Sequence, residues 1–95
     1  MSTKEAYLQK FRAQLDEWDA EIQKLKARAQ KASAELKIDY KEDLEEMRAK
    51  QEVARKKLDE LTHSGDEAWE DLKDGMEKAW NDLGAAVKSA ISRFK

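Results

Sequence analysis

Ninety-five residues suit one small domain, and with 42% charged side chains against 40% hydrophobic ones the chain lacks the apolar material for a thick globular core. Nineteen basic and twenty-one acidic residues leave a net charge of −2, which disfavours nucleic acid and an anionic membrane as partners. Cysteine is absent, so disulfides and thiol chemistry are excluded.

What remains is thin helical packing. Proline does not occur, glycine occurs three times, and Ala, Leu, Glu, Lys, Gln and Arg dominate, as in long helices and coiled coils. Regular apolar spacing and seven aromatic residues argue against disorder despite the high charge. The opening Met1-Ser2-Thr3-Lys4-Glu5 carries no apolar signal region, and no run of about eighteen apolar residues occurs, so neither a signal peptide nor a membrane span is expected and the default compartment is the cytoplasm.

In chain order, Ser2 followed by Glu5 reads as a capping box opening the first helix. From Leu8 the apolar positions run Leu8, Phe11, Leu15, Trp18, Ile22, Leu25, Ala29, Ala32 and Leu36 in steps of three and four, a heptad stripe. Two steps of four, through Tyr40 to Leu44, make a stutter, and heptad spacing resumes through Met47, Gln51, Ala54, Leu58 and Leu61. The spacing predicts one long helix over about 3–62, on the order of 90 Å. Asp39 with Glu42 supplies a possible cap that would break it near 38–40 into two helices, although no Gly, Pro or Asn supports the cut.

Thr62-His63-Ser64-Gly65 is the clear break. Gly65 suits the left-handed conformation of a tight turn, and Ser64 with Glu67 reads as a capping box for a last helix over about 65–94. That helix places Asp66, Glu67, Glu70, Asp71 and Asp74 early and Lys88, Arg93 and Lys95 late, complementing its dipole. Its apolar residues repeat every eleven positions, Trp69, Trp80 and Ile91 in one series and Leu72, Leu83 and Phe94 in another, with Met76 and Val87 between. Eleven residues make about three turns, so this stripe holds one side of the helix and requires a partner surface of equal length. Gly75 and Gly84 lie at its margins, where each either permits close helix approach or is tolerated at about 1 kcal/mol.

Folding the last helix back with equal rise places Leu72 near Leu58, Trp80 near Met47, Val87 near Tyr40 and Phe94 near Ala32. The fold class is therefore all-α, an antiparallel coiled coil or helical bundle in a single domain over 1–95. This arrangement leaves Phe11, Leu15, Trp18, Ile22 and Leu25 uncovered, and so large an apolar strip marks an interface. Either a second copy covers it, making a homodimer, or the break near Asp39 exists and the first helix closes a three-helix bundle.

No chemistry emerges from the remaining residues. His63 has no second His or Cys near it and reads as a polar helix end. The run Glu42, Asp43, Glu45, Glu46 lacks the glycine and loop of a calcium site, and Arg55-Lys56-Lys57 is balanced by neighbouring acids. No Gly-rich phosphate loop or Ser/His/Asp set occurs, so no catalytic residue, metal or cofactor is expected. The expected function is that of a non-enzymatic, self-associating interaction protein, with an unknown protein partner possible. The alternative is a peripheral protein whose Trp-bearing repeat lies on a lipid surface, which the acidic polar face of the last helix disfavours.

In Met1-Ser2-Thr3-Lys4-Glu5-Ala6-Tyr7, Gln14-Leu15-Asp16-Glu17-Trp18 and Ala68-Trp69-Glu70-Asp71-Leu72-Lys73 the chain resembles a family of short bacterial proteins usually labelled only as coiled-coil domain-containing. The likeness runs through nearly the whole length. It implies a bacterial source and a stress-associated role, and it implies no catalytic residues.

Overall fold

A computed structural model of the chain describes residues 3–65 and 67–94, and these form three helices: α1 (Thr3–Gln30), α2 (Ala34–Thr62) and α3 (Ala68–Arg93). They stack side by side in a bundle of 51 × 20 × 18 Å, with α3 packed most extensively on α2 and α1 touching α3 least. The architecture is all-α, as the spacing predicts. Ser2 of the Ser2–Glu5 box, and Asp66 and Lys95 at the ends of the α3 charge gradient, lie outside the described residues.

The first 62 residues are not one helix, and the break does not fall at 38–40. It lies at Lys31, Ala32 and Ser33. α1 ends on two tightened bonds, Lys31 N–H to Arg28 O at 3.1 Å and Ala32 N–H to Ala29 O at 3.2 Å, and Ser33 caps α2 by accepting the Leu36 N–H at 3.4 Å. Asp39 lies inside α2 and caps nothing. The physical cause is the one the stripe itself names: folding back lets α1 bury Leu8, Leu15, Ile22, Leu25 and Ala29 within a single chain.

The second turn falls where expected but by other means. Ser64 serves the end of α2, its Oγ donating to Leu61 O at 2.6 Å, and α3 has no side-chain cap. Gly65 accepts the Ala68 and Trp69 N–H groups at 3.1 and 3.2 Å without entering the left-handed region. His63 does sit at the helix end, its Nδ1 2.8 Å from Asp59 O. α2 has no basic residue in its own last turn, and Lys4 of α1 supplies one by donating to the carbonyls of Thr62 and Ser64.

The register of α3 on α2 also differs from equal rise. Phe94 stacks on Tyr40 at 4.0 Å between ring centroids rather than lying near Ala32, because the turn takes up several residues before α3 begins. Arg93 pins this end, pairing with Asp43 at 2.9 Å. Between α1 and α2 the pin is polar: Gln51, at a core position and buried, donates from Nε2 to Asp19 Oδ1 at 2.8 Å. A satisfied polar pair of this kind fixes axial alignment at some cost in stability.

Candidate interaction surfaces

The predicted packing face of α3 is the core of the bundle. Trp69, Met76, Trp80, Leu83, Val87 and Phe94 are buried, while Leu72 and Ile91 are half-buried at its edges. The predicted self-association stripe is covered from within the chain: Leu15, Ile22 and Leu25 are buried against the other two helices, and Phe11 and Trp18 are half-buried. In the closed monomer this stripe is therefore not an open surface, and the need for a second copy to cover it disappears.

Aromatic contacts join α1 to α3. The Phe11 ring meets Trp80 edge-on at 4.8 Å, Trp18 lies 5.6 Å from Trp80, and Tyr7 lies 5.7 Å from Trp69. The Trp80 indole N–H is buried there without an acceptor. Tyr7 donates its hydroxyl to Glu77, and Lys73 sits 5.0 Å above the Tyr7 ring. Burial, then the hydrogen bond and charge of Glu77 and the charge of Asp74, push the Tyr7 phenol above its ordinary value of 10.0.

Two grooves flank α1. Between α1 and α3 a cleft of about 480 Å³ is floored by Trp18, Gly84, Val87 and Ile91, with Glu17, Glu21 and Lys88 on its rim. Between α1 and α2 a groove of about 380 Å³ runs over Ala29 and Leu44 beneath Lys26, Lys37, Lys41 and Arg48. These four cations are the functional candidates that sequence reading misses, since they lie on either side of a break that the spacing conceals. The sequence carries only a weak signal: Lys26 and Lys37 have no acid at i±3 or i±4, a property they share with Lys10, Arg28 and Lys88, whereas Glu46 pairs with Lys50 at 3.2 Å and Glu52 with Arg55 at 3.8 Å rather than with Lys56.

The described residues hold no cluster of three or more His, Cys, Asp or Glu with metal-binding geometry, and no helix among them is long and apolar enough to cross a membrane. Comparison with family models, curated proteins and solved structures returned no match. Any functional reading therefore stands on the residues and their geometry.

Proposed function

We propose that this chain is a non-enzymatic, self-associating helical scaffold of the cytoplasm that keeps its dimer interface folded inside the monomer. The observation that carries this reading is the turn at Lys31, Ala32 and Ser33. It contains no Gly or Pro, and no described residue of the chain takes a positive φ, so each turn residue can join a continuous helix. Apolar spacing runs straight through it, and Leu36, on that line, is 46% exposed in the closed form.

Opening the turn would join α1 and α2 and carry Phe11, Leu15, Trp18, Ile22 and Leu25 onto the α2 and α3 of a second copy. The contacts exchanged are the same ones, so concentration and the turn decide the balance, and short turns favour such swapping. A lipid-surface role would require the α3 stripe to leave the core, and α3 contributes more buried residues to that core than either other helix. The bacterial source and stress association implied by the family resemblance belong to the same proposal.

Ser33→Ala tests it. Removing the cap costs the closed form about 1 kcal/mol per chain, or ~2 kcal/mol per dimer, which shifts the dimer dissociation constant on the order of thirtyfold toward the dimer. Two glycines inserted between Ala32 and Ser33 should shift it the other way. Analytical ultracentrifugation after refolding at high protein concentration reads both, and a Ser33→Ala chain that stays monomeric at millimolar concentration overturns the proposal.

A further inference from the structure

We propose that the groove between α1 and α2 binds a single-chain anionic amphiphile, a free fatty-acid-like carboxylate, with the alkyl chain along Ala29 and Leu44 and the head among Lys26, Lys37, Lys41 and Arg48. Unpaired surface lysines are ordinary in themselves. Here four cations from two helices rim one apolar strip, Ala29 is buried and Leu44 half-buried beneath them, and none of the four lies within ion-pair distance of a carboxylate among the described residues. Glu45 is the one acid on the rim, in a chain whose net charge is negative.

The size and charge of the groove select the occupant. Lys37 and Arg48 lie three helical turns apart on α2, so the rim extends ~16 Å at the usual helical rise. The groove holds about 380 Å³, room for a single alkyl chain, and its cationic rim matches an anionic head. The methylene stems of the lysines would extend the apolar walls while their ammonium groups stay wet, the arrangement that suits a carboxylate head above an alkyl tail. The site lies on the α1–α2 face and uses no part of the α3 stripe.

The test is a nuclear magnetic resonance titration of the full chain with decanoate and dodecanoate below their micelle concentrations, with diffusion measured in the same tubes. Expected are saturable shifts at Ala29 and Leu44 and a dissociation constant that tightens up to about fourfold per added methylene. Lys37→Glu with Lys41→Glu should weaken dodecanoate binding at least tenfold. Lys56→Glu with Lys88→Glu, which changes the net charge equally away from the groove, should leave it unaltered. Equal binding of dodecyltrimethylammonium, equal loss in both double variants, shifts confined to α3, or binding only to anionic vesicles would each overturn the proposal. Because the diffusion measurement reports association separately, failure here is distinct from failure of the scaffold reading.

Discussion

The indole of Trp18 occupies the space that a side chain on residue 84 would need: a Cβ built on Gly84 would lie 2.9 Å from Trp18 Cζ2. Gly75, nine residues earlier in the same helix, faces nothing within 4 Å. Two glycines that look alike in sequence therefore have opposite standing.

Gly75→Ala should stabilise the fold by up to about 1 kcal/mol, since only helix propensity changes. Gly84→Ala gains the same propensity but pushes on a flat ring, where overpacking costs about 1–3 kcal/mol, so the net effect should be destabilising. Urea denaturation of the two variants side by side checks this; equal stabilisation by both would show that Trp18 does not hold α1 close to α3.

Trp80→Ala should cost about 3–5 kcal/mol, because Trp80 is buried beneath Phe11 and Trp18. Trp80→Phe should cost clearly less, because it keeps a ring against Phe11 and Trp18, while the indole N–H that is buried without an acceptor is lost in both variants. Thermal and chemical unfolding of both variants gives the comparison, and similar losses would mean that a ring at position 80 gains nothing from packing there.

Tyr7 predicts an alkaline limit. Its phenol is held above the ordinary value of 10.0 in the folded chain, so the folded state keeps a proton that the unfolded state releases. That contribution is whole below pH 10 and declines as pH rises above it. Denaturation midpoints measured from pH 8 to pH 11 should fall more steeply for the wild type than for Tyr7→Phe, and parallel curves would contradict the assignment.

The parts of the fold that the sequence reveals are those set by one helix at a time. The eleven-residue repeat of α3 identifies Trp69, Met76, Trp80, Leu83, Val87 and Phe94 as its inner face because a periodic stripe needs nothing beyond its own helix to be seen. The turn at 31–33 stays hidden for the complementary reason. Lys31, Ala32 and Ser33 all suit a helix, Ser33 has Leu36 rather than an acid three residues on, and Asp39 with Glu42 offers the stronger local cap. The break is decided by burial of the α1 stripe, a tertiary quantity. The cationic groove follows from that break, since Lys26 and Arg48 become neighbours only when the chain turns between them. The Asp19–Gln51 pair is hidden likewise: Gln51 is visible at a heptad position, but its partner is not.

Lys4 carries a last consequence. By donating to the carbonyls of Thr62 and Ser64, it brings a positive charge to a helix end that His63 and Ser64 bond locally but whose last turn holds no basic residue. That charge is on loan from α1, and a peptide cut to Ala34–Thr62 should fray at this end however well its interior coils. Proteolysis or chemical capping near the amino terminus would be felt first about sixty residues away, at the corner where α2 hands the chain to α3.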